Sequence, residues 1–223
     1  MNARPTGFFA AHLDPGAIFG EILFGLIMVL TFTLGAGVVV EEGPGAFRAL
    51  LTAALGCNLA WGLIDGAMYL MGSLLDRGRR NRMLLALKNV QDEEAALRAI
   101  GGELDAPLAA LATPEERRAF YRSLWTISAR AQPARVRIER EDWLGALASG
   151  LLVVLTAFPA VVPFLFMDDP WRALRVSNGI LVGLLFFCGF FWARFTGVNR
   201  WAAGAGMLGL GVALVAVAIA LGG

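Results

Sequence analysis

A single carboxylate lies near the middle of a long apolar stretch of this sequence. Asp65 falls within residues 52–75, which are otherwise almost wholly apolar and numerous enough to cross a bilayer. A carboxylate at that depth costs about 2.5–3.5 kcal/mol on insertion scales, so it rarely faces lipid. On a helix, polar and small residues at spacings of three and four share the face of Asp65: Asn58, Trp61, Gly62, Met68, Tyr69 and Gly72. The pattern predicts that this face points into a helix bundle or a transport pathway.

A second carboxylate, Glu21, lies one turn into the first apolar stretch, residues 17–39. Met28 shares its helical face, and Thr31 lies beside that face. Glu21 either belongs to the same polar path or is an interfacial carboxylate near the lipid headgroups, and the sequence leaves both interpretations open. A methionine at helical spacing more often packs than binds a ligand.

The composition is that of an integral membrane protein. The 223 residues are 57% hydrophobic and 17% charged, with a mean hydropathy of +0.65, whereas a soluble domain carries about 25% charged residues. We therefore expect an all-α protein embedded in lipid. Apolar stretches predict five transmembrane helices, over residues 17–39, 52–75, 143–166, 176–193 and 201–221. Asp14 and Pro15 predict the start of the first helix, and Pro159 and Pro163 predict a kink in the third.

The charged residues concentrate between the second and third stretches. Residues 77–140 hold thirteen of the nineteen Lys and Arg and eight of the eighteen acids, which predicts a water-facing helical insert over 77–142. Helical spacing predicts one helix that stops at Gly101–Gly102, and a Thr113–Glu116 capping box starts another. The acids of the insert either bind cations or serve as solvated faces and helix caps: Asp92, Glu93, Glu94, Glu103, Glu115 and Glu116.

The distribution of basic residues predicts the orientation. With five spans and a cytoplasmic insert, sixteen Lys and Arg lie inside and three outside, which agrees with the positive-inside rule. The chain then divides into a cytoplasmic tail (1–16), two spans (17–76), the cytoplasmic insert (77–142) and three spans (143–223).

Several other function classes find little support. Cys57 and Cys188 lie in separate apolar runs without a CxxC motif or Cys/His cluster, so neither a zinc site nor a disulfide framework is predicted. We expect no enzyme, because His12 is the only histidine and neither Ser149 nor Ser177 has a base nearby in the sequence. The arginines of the insert alternate with acids, so nucleic-acid binding is not expected.

This plan resembles the vacuolar iron transporter (VIT) family, which has five spans and one helical cytoplasmic insert after the second. Residues 146–166 are similar to the family's third span, which ends with two prolines, and 192–199 to its short basic link between spans four and five. The glycine-rich residues 206–222 resemble its last span, and 24–37 its first. Together the similarity covers most of residues 19–222.

The resemblance implies a homodimer in the bacterial inner membrane that exports Fe(II) or Mn(II) from the cytoplasm in exchange for protons, with no permanently bound cofactor. The expected transport pathway comprises Asp65, Asn58, Met68, Tyr69, Met28, Thr31 and Glu21. The expected metal ligands are Asp65, Met68, Glu93, Glu94, Glu103, Glu115 and Glu116.

Two departures from the family pattern keep an alternative open. The family's first span carries an Asp-Gly pair where this chain has Ile27–Val29, and the Gly-Glu-Tyr motif of the second span corresponds here to AMYLMGS at 67–73. The alternative is a non-transporting membrane scaffold or regulator that has lost the metal ligands. In it, Asp65 would bond to Thr31 or Asn178 and hold the helices together.

Overall fold

Nine helices make up the regular structure of the described residues, 7–39 and 46–220 of a computed structural model. They are α1 (Phe8–His12), α2 (Pro15–Val39), α3 (Ala46–Asn89), α4 (Glu93–Leu108), α5 (Pro114–Arg130), α6 (Arg140–Leu155), α7 (Phe158–Phe166), α8 (Pro170–Thr196) and α9 (Arg200–Ala220). The all-α prediction is confirmed for this part of the chain.

The chain forms two compact units. The apolar unit comprises the residues up to Leu70 and those from Glu139 onwards, and the insert unit comprises Met71–Ile138. The long helix α3 contributes its first part to the apolar unit and its last part to the insert unit.

Among the described residues of the apolar unit, three segments are long and apolar enough to cross a membrane: Pro15–Leu34, Arg140–Phe166 and Trp171–Thr196. They coincide with the first, third and fourth predicted spans, so the chain is a multi-pass membrane protein. The second and fifth predicted spans lie in α3 and α9, with residue 221 outside the described residues. That these two helices also cross the membrane stays a prediction.

The core of the apolar unit joins α2, the region around α7, and α8. Leu26, Val29 and Leu30 of α2 pack against Ala157 and Ala160, and against two leucines of α8, Leu181 and Leu185. The third span is interrupted where a kink is predicted: it divides into α6 and α7, α7 continues through Pro163, and Pro159 lies in the first turn of α7. Proline has no N–H to donate, so the backbone ladder cannot continue there.

Asp14 caps α2 as predicted, with Oδ1 accepting from Gly16 N at 2.8 Å and from Ala17 N at 3.1 Å. These bonds satisfy N–H groups that have no partner within the helix. The start of the first span is therefore determined by residues adjacent to it in sequence.

In the insert unit, α4 and α5 pack together with the end of α3. Its core contains Leu87, Ala96, Leu97, Ile100 and Tyr121. The Thr113–Glu116 capping box is confirmed at the start of α5.

The predicted helix stop at Gly101–Gly102 is wrong. α4 continues through both glycines to Leu108, and the break lies earlier, between Asn89 and Glu93. Asp92 starts α4 by accepting bonds from the backbone N–H groups of Glu94 and Ala95. Gly101 is buried within α4, where a Cβ would lie 3.2 Å from Asp105 Oδ2 and 3.5 Å from the Tyr121 ring, so this glycine lies inside the helix and does not end it.

Candidate functional site

Small residues bring α3 and α6 into close contact in the apolar unit. A Cβ on Gly62 of α3 would lie 2.6 Å from the backbone oxygen of Gly150 on α6, and one on Gly66 would lie 3.1 Å from that of Ala146. Each helix therefore presents two small residues four positions apart, which is the packing pattern of close membrane helices. Polar side chains near the crossing of α3 and α6 can therefore contact either helix.

α2 approaches the same α6 helix. Gly25 leaves no room for a side chain because Thr156 lies against it. One turn along α3 from Asp65, Tyr69 packs on Gly145 of α6, and its hydroxyl donates to the backbone oxygen of His12 at 3.3 Å. Residues of α2, α3 and α6 therefore surround one region of the apolar unit.

We call Glu21, Asp65 and Ser149 the carboxylate cluster; they come from α2, α3 and α6. Ser149 is 1% exposed, and its Oγ donates to Glu21 Oε1 at 2.5 Å. Asp65 lies on the part of α3, between Gly62 and Gly66, that packs against Ala146 and Gly150 on either side of Ser149. The Oδ2 atom of Asp65 is buried and has no hydrogen-bond partner among the described residues.

Neither carboxylate of the cluster forms an ion pair within the described part of the chain. Each carboxylate lies within an apolar stretch of the chain, where an uncompensated charge is costly. A bound cation, or protons, would relieve both costs. The arrangement is therefore suited to binding positive charge inside the apolar unit.

Other predicted pathway residues serve the packing of the helices. Asn58 is 1% exposed and donates to the backbone oxygen of Val153 at 2.9 Å, an oxygen that also accepts from Thr156 Oγ1 at 2.6 Å. Thr31 donates to backbone oxygens of its own helix, Ile27 O at 2.9 Å and Met28 O at 3.0 Å. Asn58 thus ties α3 to the region where the third span breaks, and Thr31 makes its bonds within α2.

The two predicted methionines differ in exposure. Met68 lies three residues after Asp65 on α3 and is 60% exposed, whereas Met28 on α2 is half-buried. That Met68 and Asp65 act together as metal ligands stays a prediction.

The bond from Asp65 to Thr31 or Asn178, expected for a scaffold, is absent from the described residues. Asn178 instead accepts from Thr33 Oγ1 at 2.7 Å, and this bond joins α8 to α2. Thr33 is 1% exposed whereas Thr31 is exposed, because the two residues lie on different faces of α2. The interhelical bond predicted for Asp65 is thus made by another pair.

The acids of the insert unit serve as ion-pair partners and helix caps. Glu103 accepts two bonds from Arg79, at 2.7 and 2.9 Å, Glu93 pairs with Arg122 at 2.5 Å, and Glu94 pairs with Arg118. Glu115 and Glu116 lie in the first turn of α5, and hydrogen bonds from the Thr113 backbone and hydroxyl lower the pKa of Glu116.

Across residues 7–39 and 46–220, no group of three or more His, Cys, Asp or Glu is arranged to hold a metal ion. The five glutamates predicted as ligands, Glu93, Glu94, Glu103, Glu115 and Glu116, therefore do not converge. The observed contacts agree with the other interpretation of these acids: Glu93, Glu94 and Glu103 form surface ion pairs, and Glu116 caps a helix.

Sequence reasoning did not place Ser149 in the site. Its hydroxyl meets a carboxylate 128 positions away in the chain, which local patterns do not reveal. The available signal was a small polar residue between Ala148 and Gly150, within a span that was expected to pack closely.

A comparison with known protein families identifies the chain. The model of the VIT family matches residues 79–223, well over half of the chain. A search of curated proteins found no match to this chain. The matched region includes the insert unit from residue 79 and everything after it, which agrees with the resemblance noted in the C-terminal half. The family indicates membrane transport of metal ions. This multi-pass membrane protein belongs to the VIT family.

Proposed function

We propose that the protein exports a divalent metal ion, iron or manganese, from the cytoplasm across a bacterial inner membrane in exchange for protons. The observation that carries the proposal is the presence of two carboxylates, Glu21 and Asp65, on helices that contact the same part of α6, neither with a cationic partner among the described residues. In a chain of the VIT family, such a pair is a candidate binding site for the transported ion.

Charge balance favours exchange of a divalent ion with protons. Two carboxylates carry two negative charges, which one divalent cation or two protons neutralise equally. The site can therefore alternate between a metal-bound and a doubly protonated state without leaving net charge in the membrane. Carboxylate and hydroxyl oxygens are hard ligands, which suit Mn(II) and, with weaker preference, Fe(II).

The remaining predicted residues have supporting roles in this proposal. Tyr69 lies one turn from Asp65 and Asn58 two turns before it on α3, so both border the path. Met28, Thr31 and Met68 stay predicted lining residues. The ion is the cargo, so the proposal needs no resident cofactor, no enzymatic step and no nucleic acid.

The assembly and orientation follow from the family resemblance and the charge distribution. We propose a homodimer with a cytoplasmic N-terminus and with the arginine-rich insert in the cytoplasm. The thirteen basic residues of 77–140 would then lie on the cytoplasmic side, as the positive-inside rule expects.

Uptake into proteoliposomes tests the proposal. We would measure Mn(II) and Fe(II) flux with and without a pH gradient, using the wild type, Asp65→Asn and the control Glu115→Gln. Asp65→Asn keeps the side-chain volume but removes the charge. We expect gradient-dependent flux in the wild type and in Glu115→Gln, and a loss of at least about a hundredfold in Asp65→Asn, since a charged ligand is removed.

A non-transporting scaffold or regulator is the second candidate. The arginine pairs of Glu93, Glu94 and Glu103 favour it, because these acids are already neutralised. Absence of flux for any divalent metal from monodisperse, helical protein would overturn the transport proposal in favour of this one. The search would then turn to protein partners of the insert unit.

A further inference from the structure

The hydroxyl of Ser149 is used differently from most helical hydroxyls in this protein. Thr31, Thr52, Ser123 and Thr126 each donate to the backbone oxygen four residues earlier on their own helix. This local bond is the usual one for serine and threonine within helices. Ser149 instead donates to Glu21 on another helix, at 2.5 Å.

The bond restricts a flexible acid. Glutamate has three side-chain torsions, and a hydroxyl that is 1% exposed on a packed helix is a rigid donor. A serine has one proton to donate, and here it is committed to Glu21 Oε1. The position of the Glu21 carboxylate is therefore tied to α6.

The same helix also sets the position of Asp65. The backbone contacts of Gly62 and Gly66 with α6 hold this part of α3 in place, and Asp65 lies between those two glycines in the sequence. α6 thus fixes one acid by a hydrogen bond and the other by backbone packing. Binding sites gain affinity when their ligands are held before the ion arrives.

We infer that Ser149 is a positioning residue, whose hydroxyl holds the Glu21 carboxylate beside Asp65 so that the two acids bind one divalent cation. The inference rests on the proposed function and adds a residue on the third span to its site. It also defines the ion by its chemistry, since the three side chains of the cluster offer only oxygen atoms. A hard divalent cation such as Mn(II) fits this set better than a thiophilic one.

Ser177 provides a matched control. It is 0% exposed, lies in another apolar segment and donates to the backbone oxygen of Ala160 at 2.8 Å. Ser149→Ala and Ser177→Ala each remove one buried serine hydroxyl, but only the first removes a bond to a carboxylate. A general loss of stability would affect both variants, whereas a positioning role concerns Ser149 alone.

The experiment measures Mn(II) binding to full-length protein in detergent by electron paramagnetic resonance, and Mn(II) uptake in proteoliposomes. We expect Ser149→Ala to raise both the Kd and the KM about tenfold with a smaller change in the maximal rate, since a bond to a charged group is lost. Ser177→Ala should keep the wild-type values. Ser149→Thr, which retains the hydroxyl, should recover most of the affinity.

A double-mutant cycle tests whether Ser149 acts through Glu21. In a Glu21→Gln background, Ser149→Ala should change the Kd for Mn(II) by less than about twofold, because the carboxylate it positions is already gone. A full additional tenfold loss would overturn the positioning role.

The possible failures are distinguishable. Wild-type Mn(II) affinity and KM in Ser149→Ala, with active wild-type protein, would overturn the inference and leave the proposed function standing. Wild-type protein that binds Mn(II) with the expected Ser149 dependence but shows no flux would overturn transport and keep the site. A wild type that neither binds Mn(II) nor transports any divalent metal would overturn both.

Discussion

Glu93, Glu94 and Glu103 of the insert unit each pair with an arginine, whereas Glu21 and Asp65 of the apolar unit have no cationic partner in the described part of the chain. Surface ion pairs are inexpensive to maintain because water screens both charges. Unpaired carboxylates in apolar surroundings are costly, so a protein that keeps them gains something other than stability. The contrast suggests that the acids of the insert unit maintain structure and those of the apolar unit bind the ion.

The largest expected effect comes from separating the helices that carry the unpaired acids. Gly150→Val places a branched side chain against the backbone of Gly62. The backbone of Gly62 can make room for it only if α3 moves away from α6. We expect loss of Mn(II) binding and destabilisation by about 1–3 kcal/mol, measured by ligand titration and thermal unfolding in detergent.

Gly206→Val is the control for that change, since a Cβ on Gly206 has no atom within 4 Å. It should keep both the Mn(II) affinity and the unfolding temperature. Equal losses in the two variants would show that the crossing of α3 and α6 is not special to the site.

The second prediction contrasts two aspartates. Asp105 of the insert unit accepts from Tyr121 Oη at 2.7 Å and from Arg117 Nη1 at 2.8 Å, while Asp65 has a buried oxygen with no partner among the described residues. We expect Asp105→Asn to destabilise the protein by about 1–2 kcal/mol. Asp65→Asn should leave stability unchanged or raise it, because it removes an uncompensated charge.

Thermal unfolding of the two variants measures this difference, and Tyr121 provides an independent signal. Burial, and then the bond and charge of Asp105, raise the pKa of Tyr121, so its ultraviolet titration should move to lower pH in Asp105→Asn. If Asp65→Asn were the more destabilising variant, Asp65 would be a structural acid and the contrast between the units would fail.

A smaller effect depends on pH. Hydrogen bonds from Thr113 lower the pKa of Glu116, so the folded state favours the carboxylate. The stability that this cap contributes is fully present at pH values above the pKa of Glu116 in the unfolded chain, about 4.5. It is lost as the pH falls through the lowered pKa of the folded state. Glu116→Gln should therefore lower the unfolding temperature at pH 7. Below pH 5, the unfolding temperature of this variant should decrease less with acidification than that of the wild type.

Unfolding curves between pH 3 and pH 7 check this expectation, with Glu115→Gln as the neighbouring control. Thr113→Ala should resemble Glu116→Gln at pH 7, since either change breaks the capping box. An identical acid dependence in wild type and Glu116→Gln would show that the cap does not couple stability to pH.

The smallest effect is expected at an exposed pair. Arg79 and Glu103 are joined by two hydrogen bonds, yet their side chains are 68% and 45% exposed. Glu103→Gln should leave the unfolding temperature and the Kd for Mn(II) at wild-type values, because exposed ion pairs contribute little. A clear loss of Mn(II) affinity would instead assign Glu103 to metal binding and remove the contrast between the two units.

Much of the local structure could be predicted from the sequence. Three of the apolar stretches, the Asp14 cap, the Thr113–Glu116 capping box and the break near Pro159 all follow from residues adjacent in the chain. The predicted stop at Gly101–Gly102 failed because glycine disfavours a helix only weakly, and burial of Leu97 and Ile100 in the core of the insert unit stabilises this part of α4.

The sequence by itself determined that this is an apolar helical protein with two acids in its apolar segments and an arginine-rich insert. Composition, hydropathy and capping residues are properties of neighbouring positions, so they can be read along the chain. Only the tertiary structure decided that Ser149 meets Glu21, and that Asp65 lies where α3 packs on the same helix, with no hydrogen-bond partner for Oδ2 among the described residues. It also decided that no three of the glutamates of the insert are grouped to hold a metal ion. The physical reason is that contacts between helices depend on their rotation and crossing, which close packing at Gly62 and Gly150 sets.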